Sequence, residues 1–260
     1  VGDPILVERS GPVATWTLNL PRKRNPISGD AMVDAFVRLT DEVNSDHGVH
    51  AVVLTGAGTA FSSGGDIAAM AAGEGCFGGP PHRQRDGYRH GVQRLTRALY
   101  NCEVPLVAAV NGPAIGAGCD LSLLCDLRIA SETAVFAASF VALGLVPGDG
   151  GAWLLPRAVG AARAAEMVLT GDRIDAVTAL EWGLVSRIAP PADLLTEARA
   201  LAGRIADHPP QATRMAKRLL RESDRQGLDS LLELSAAMQA VAHHTDGHRA
   251  AVASFAERMR

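Results

Sequence analysis

The sequence predicts an α/β fold, in which a strand–helix unit is repeated several times and an α-helical C-terminal region follows. Three observations carry this. Two continuous apolar runs, at 51–55 and 105–110, read as strands buried on both faces. Each runs into a glycine-rich turn and then a stretch of helical character. From Pro191 onward the apolar spacing is helical to the end. Pro190-Pro191 marks the expected boundary, with a core over 1–190 and a helical region over 191–260.

The elements follow in order. Segments 5–8 and 13–19 flank Ser10-Gly11-Pro12 and read as a β-hairpin. Leu20-Pro21-Arg22-Lys23-Arg24-Asn25-Pro26 is a basic loop bounded by prolines. Ser28 is the expected N-cap of a helix to about residue 45, with Met32, Phe36, Leu39 and Val43 on one face. The strand at 51–55 leads into a Gly/Ser loop ending in Ser63-Gly64-Gly65, and Asp66 is placed to cap the short helix after it. Residues 71–90, rich in glycine and proline, are expected to form a flexible loop that serves as a lid or a substrate-side wall, with His82 and His90 as solvated loop residues. A helix over about 87–100 returns the chain to the strand at 105–110. Short strands at 126–130 and 134–136 precede a third glycine-rich turn, Pro147-Gly148-Asp149-Gly150-Gly151, which opens a helix. Helices at about 161–169 and 175–182 and a strand at 184–188 complete the core. Four helices then follow, at about 191–207, 209–223, 228–243 and 246–258.

Composition narrows the function classes. The 260 residues are 47% hydrophobic and 20% charged, with a net charge of −3, which makes nucleic acid a poor partner. No apolar run approaches the roughly 18 residues a membrane span needs. Val1-Gly2-Asp3-Pro4 lacks the charged-then-apolar pattern of a signal peptide. Cys76, Cys102, Cys119 and Cys125 form no Cys-x-x-Cys pair, so the expectation is reduced thiols in a cytoplasmic protein and no metal site. Gly56-x-Gly58 lacks the third glycine of a dinucleotide fingerprint, and no cofactor of that kind is expected.

The chemistry centres on Val110-Asn111-Gly112-Pro113-Ala114-Ile115-Gly116-Ala117-Gly118-Cys119-Asp120. Few side chains shield the backbone at this strand-to-helix turn. Unpaired N–H groups of a helix's first turn, aided by its dipole, can hold a negative oxygen. Asp120 lies about one turn after Ala117 on the same side, which places a carboxylate beside that oxyanion pocket. Asp120 reads either as a catalytic acid or as a buried, hydrogen-bonded helix residue. Asp149, before Gly150-Gly151, stands at the N-cap position of the helix after it.

With these motifs in view, the chain resembles the enoyl-CoA hydratase/isomerase (crotonase) family over nearly its whole length. The matching stretches are Ala51-Val52-Val53-Leu54-Thr55-Gly56, Phe61-Ser62-Ser63-Gly64-Gly65-Asp66-Ile67, 105–125, Leu145-Val146-Pro147-Gly148-Asp149-Gly150-Gly151, Leu169-Thr170-Gly171-Asp172-Arg173-Ile174 and Trp182-Gly183-Leu184-Val185. The resemblance implies a spiral of ββα turns with a C-terminal helical region that covers the active site and joins subunits into a homotrimer or a dimer of trimers. It implies acyl-CoA thioester substrates, with coenzyme A as part of the substrate and no separate cofactor. Two backbone N–H groups would hold the thioester oxygen as an enolate forms; by motif these are Gly65 and Ala117. Arg22, Lys23 and Arg24 fall where the family approaches the CoA phosphates, and Ser63, Gly64, Asp66, Ile67 and Ala68 fall where it wraps adenine and pantetheine. Gly116 belongs to the oxyanion turn. Hydratases of the family use two glutamates. The first falls at Asp120 and the second at Phe140, which cannot transfer a proton and is expected to line the acyl pocket. Asp149 is the candidate replacement. The resemblance therefore implies enoyl-CoA hydration first. Isomerisation, thioester hydrolysis, decarboxylation or dehalogenation on the same scaffold, or acyl-CoA binding without catalysis, are the alternatives.

Overall fold

The computed structural model describes residues 2–259. The chain opens with the hairpin β1 (Ile5–Ser10) and β2 (Val13–Leu18), then helix α1 (Asp30–Ser45) and strand β3 (Ala51–Gly56). Helices α2 (Ile67–Ala72), α3 (Pro81–His90) and α4 (Val92–Tyr100) separate β3 from β4 (Leu106–Val110). The two-residue strand β5 (Ala114–Ile115) leads into α5 (Ala117–Leu124), followed by β6 (Leu127–Ser131) and β7 (Val135–Ala137). Next come α6 (Gly151–Val159), α7 (Ala161–Thr170), β8 (Arg173–Asp175), α8 (Ala176–Glu181) and β9 (Arg187–Ala189). Helices α9 (Leu194–Ala206), α10 (Pro210–Glu222), α11 (Leu228–His243) and α12 (Asp246–Arg258) end the chain.

The strands form a six-stranded sheet of order β1-β2-β3-β4-β6-β9 and a small sheet of order β5-β7-β8. Only β1 is antiparallel in the larger sheet; every later strand returns parallel to its neighbour. Parallel return requires a crossover, and buried crossovers cover both faces. Alternation along the strands then assigns each side chain to a face. Val52, Leu54, Leu106, Ala108 and Val110 join Trp16, Phe36 and Leu121 in the main core, while Ala51, Val53, Val107, Ala109 and Ile129 face Ala198 and Ala202 of α9 on the other side. Helix α5 is buried at every position, as an apolar helix without a polar stripe must be.

Several elements differ from the sequence reading. The span 71–90 is not an open loop. It contains the end of α2, a 3-10 turn at Gly75–Phe77 and all of α3. Pro81 sits in the first turn of α3, where its missing N–H costs nothing, and the helix is too polar to show an apolar stripe. The helix expected over 87–100 is two helices broken at Gly91. Ser28 does not cap α1; Gly29 precedes it without a side-chain cap, and Ser28 Oγ instead accepts from Asp66 N at 3.0 Å. Strands β5 and β8 are too short to leave a periodic signal, and the last strand lies at Arg187–Ala189, with Leu184 and Val185 buried in the turn before it.

Candidate active site

The loop after β3 and the turn before α5 are stitched together by backbone bonds. Ser62 N donates to Pro113 O at 3.1 Å, and Ile115 N donates back to Ser62 O at 3.0 Å. On the loop's other side Ser63 N donates to Arg24 O at 2.8 Å and Ile27 N to Gly64 O at 2.9 Å. Asn25, buried and left-handed at φ 55, supports this seam. Its Nδ2 donates to Ala57 O and Ala60 O at 3.0 and 2.9 Å, and its Oδ1 accepts from Leu20 N at 2.9 Å. The sequence reading passed over Asn25. An asparagine before proline in a tight loop is the signal that could have found it, because Asn tolerates positive φ.

Two glycines allow the contact itself. A Cβ on Gly64 would lie 3.0 Å from Ala117 N and would collide with Ile115 O, and one on Gly118 would collide with Ser62 O. The Gly64–Gly65 peptide thus lies beside the first turn of α5. Among the described residues, neither Gly65 N nor Ala117 N donates a hydrogen bond to the protein, whereas Gly116 N donates to Ala137 O and Asp120 N to Gly116 O. Ala117 N also stands at the positive end of the α5 dipole. Two fixed, unspent donors beside each other can hold an anionic oxygen.

Asp120 follows on α5, 2% exposed. Its Oδ2 accepts from Gly151 N, the first residue of α6, at 3.0 Å, and a Cβ on Gly151 would collide with the carboxylate. Asp149 is 7% exposed, and its Oδ1 has no hydrogen-bond partner. The N-cap reading of Asp149 is therefore wrong. Gly150, at φ 114, takes the cap position without a side-chain bond, and the acceptor at the start of α6 comes from Asp120. Helix α4 holds the Asp149 turn from behind: Thr96 Oγ1 donates to Asp149 O at 2.7 Å and Gln93 Nε2 to Gly148 O at 3.0 Å. Burial pushes the Asp149 carboxyl up to about 6. Burial, and then the neighbouring charge of Asp149, push Asp120 up to about 8 against the Gly151 N–H. Among the described residues, neither acid has a cation partner. Two carboxyls tuned to either side of neutrality can carry acid and base roles at once.

The other candidate residues surround this centre. Phe140 is half-buried, its Cζ 3.8 Å from where a Cβ on Gly116 would stand, so an aromatic wall flanks the oxyanion turn. Lys23 Nζ pairs with Asp66 at 3.0 Å, and that pair lowers the Asp66 carboxyl together with the Ala69 N–H. Asp66 caps α2 through Ala68 N and Ala69 N, as its position in the sequence predicts. Lys23, Ser28, Asp66, Ala69 and Phe77 line a pocket of about 540 Å³. Arg22 and Arg24 are exposed beside it, and Ile67 and Ala68 lie exposed on the outer face of α2, away from the acid pair. A second pocket of about 390 Å³ is lined by Ile67, Met70, Phe77, Tyr88, Leu143 and Leu145. It borders the oxyanion loop, because a Cβ on Gly65 would collide with Met70 Cε and lie 3.8 Å from Phe77 Cζ. A broader depression of about 810 Å³ along α1, near Asp34 and Arg38, lies apart from all these groups.

A sequence model of the enoyl-CoA hydratase/isomerase family matches residues 8–260. The short-chain-enoyl-CoA hydratase of Clostridium acetobutylicum is 31% identical over 259 residues, which cover 98% of this chain and 95% of that protein. The crotonyl-CoA hydratase of Syntrophomonas wolfei is 32% identical over 257 residues, covering 98% and 96%. The crystal structure of an enoyl-CoA hydratase from Bacillus anthracis superposes with a TM-score of 0.91 at 31% identity, over 98% of this chain and 96% of that one.

Proposed function

This chain belongs to the enoyl-CoA hydratase/isomerase family, and on that premise we propose that it adds water across the 2,3 double bond of an enoyl-CoA thioester. One observation carries the reading: two unpaired backbone donors, Gly65 N and Ala117 N, stand next to a buried carboxyl pair without a cation. The donors take the thioester oxygen. They act where charge develops, so each can contribute roughly 3–4 kcal/mol at the transition state. At neutral pH Asp149, at about 6, is ionised and serves as base, while Asp120, at about 8, is protonated and serves as acid.

The atoms then balance. Asp149 takes a proton from water as the water oxygen bonds to Cβ. The π pair moves toward the thioester, whose oxygen carries the charge at Gly65 and Ala117. Asp120 delivers its proton to Cα, and a 3-hydroxyacyl-CoA results. Lys23, Arg22 and Arg24 would meet the CoA phosphates, and Asp66, Ile67 and Ala68 the adenine and pantetheine. We also assign the family's trimeric assembly to the C-terminal helices. Leu220, Leu228, Leu232 and Phe255 are 74, 71, 57 and 65% exposed on α10, α11 and α12, an apolar surface suited to a second copy.

Phe140 favours a second reading on the same site. An apolar wall in place of the second acid suits proton transfer between Cα and Cγ by Asp120 alone, which is double-bond isomerisation. A panel of trans-2-enoyl-CoA and 3-enoyl-CoA thioesters separates the two. Hydration of any chain length upholds the first reading. A shifted 3-enoyl bond without hydration replaces it with the second. Acyl-CoA binding with no turnover of either series would make the protein a binder only.

A further inference from the structure

Helix α3, of which the sequence showed only the last turn, brings a tyrosine beside the Gly148-Asp149 turn. Tyr88 is half-buried and held on two sides. Its ring stands edge-on to Phe77, with centroids 6.5 Å apart and planes at 78°. Its other edge lies on Gly148: a Cβ built there would be 3.1 Å from Tyr88 Cε1 and 3.4 Å from Cδ1. The outer half of the ring is the closer to Gly148. The helix is fixed in turn. Gly87 lets it lie on Cys76, whose Cα is 3.0 Å from where a Gly87 Cβ would stand, and Gln84 Nε2 donates to Phe77 O at 3.1 Å. The bonds from Gln93 and Thr96 hold the Gly148-Asp149 turn from the opposite side. Packing thus fixes the Tyr88 ring against the residue before Asp149, and the Asp149 charge is close enough to act on the phenol.

Their chemistry is complementary. Burial and then the Asp149 charge raise the Tyr88 phenol above its ordinary value, so it remains an O–H donor. Asp149 Oδ1 has no partner. An oxygen with both an O–H and a lone pair satisfies the two together, donating to the carboxylate and accepting from the phenol. Phe140 offers neither function.

We infer that Tyr88 and Asp149 together hold the oxygen that is added at Cβ, with Tyr88 supplying the hydrogen-bond donor that Phe140 cannot. The inference rests on the hydration reading. Tyr88 keeps its proton throughout; Asp149 accepts the proton from water and Asp120 gives one to Cα, as above.

Tyr88→Phe removes one oxygen and keeps the ring on Phe77 and Gly148. Two rates are measured on the same protein: hydration of trans-2-enoyl-CoA, and exchange of the Cα proton of a saturated acyl-CoA with D2O. The second uses Gly65, Ala117 and Asp120 without any water addition. The variant is expected to lose about 10- to 100-fold in the kcat of hydration, with KM and the exchange rate within about threefold of wild type. Unchanged hydration overturns the inference. Loss of both rates together also overturns it, because Tyr88 would then support the fold and not the water. Wild-type protein that exchanges Cα protons but never hydrates overturns the hydration reading, and the water-holding role with it.

Discussion

Two aspartates six positions apart, Asp120 buried and Asp126 half-buried, behave in opposite ways. Asp126, between α5 and β6, is surrounded by partners. Lys217 Nζ lies 2.7 Å from one carboxylate oxygen and Arg221 Nη2 2.8 Å from the other, and Leu106 N also donates to it at 2.8 Å. Burial would raise its pKa, but these two cations overcome it and hold the carboxyl below its ordinary range. Asp120 has one backbone N–H and a like charge nearby, and its pKa rises to about 8. Desolvation acts on both, yet one carboxyl is held as the anion and the other is held toward its protonated form. The difference lies in what was buried alongside. Asp126 ties α10 to β4 and β6, whereas Asp120 is left able to take up and release a proton.

The largest expected effect separates the two by substitution. Asp120→Asn should lower turnover by about 10²- to 10⁴-fold, read as kcat. Asp126→Asn should leave kcat per folded molecule intact but strand Lys217 and Arg221, at a cost of about 3–5 kcal/mol in denaturant unfolding. Equal loss of activity in both would erase the distinction.

Stability against pH should diverge in sign. The folded-state pKa of Asp120 is raised from 3.8 to about 8, so its contribution is fully present below the unfolded value and is lost as pH rises through about 8. The Asp126 pKa is lowered, so its contribution is present above 3.8 and is lost as pH falls through the depressed value. The melting temperature of Asp120→Asn relative to wild type should therefore climb between about pH 4 and 8, where the unfolded chain is ionised and folded wild type must keep a proton that the variant does not need. A flat difference would mean that Asp120 is not the raised acid.

The pH–rate profile probes the pair itself. Hydration should rise as Asp149 ionises near about 6 and fall as Asp120 loses its proton near about 8. Asp149→Asn removes the charge that helps raise Asp120, so the rising limb of Cα-proton exchange, which needs the Asp120 carboxylate as base, should move to lower pH. The smallest effect belongs to the exposed pair. Lys23 and Asp66 are 67 and 22% exposed at the side chain. Lys23→Ala should change stability by less than about 1 kcal/mol while raising KM for acyl-CoA several-fold.

Much of this site was legible because it is local. A glycine-rich turn between an apolar strand and an apolar helix leaves N–H groups bare whatever surrounds it, and Asp120 follows Ala117 by one turn in any helix. The replacement of a carboxylate by Phe140 was equally visible. Asp149 was not resolved in this way. A residue before Gly150-Gly151 looks like a cap, and only the arrival of Asp120 at Gly151 N shows that the cap is supplied from elsewhere. Helix α3 was read as helix only from about Gly87, because it is polar nearly all round, and Tyr88 within that span carried no apolar pattern that would give it a role.

By itself the sequence determined the alternation of strand, turn and helix, the faces of the buried strands, the positions of Gly65 and Ala117, and the family they imply. These depend on periodicity and on backbone freedom, which act over a few residues. The tertiary structure alone decided which aspartate has its pKa lowered and which has it raised. Lys217 lies far along the chain from Asp126, and Asp149 lies far from Asp120. A carboxyl's pKa follows from the charges and the water around it, and those are set only when distant segments pack together.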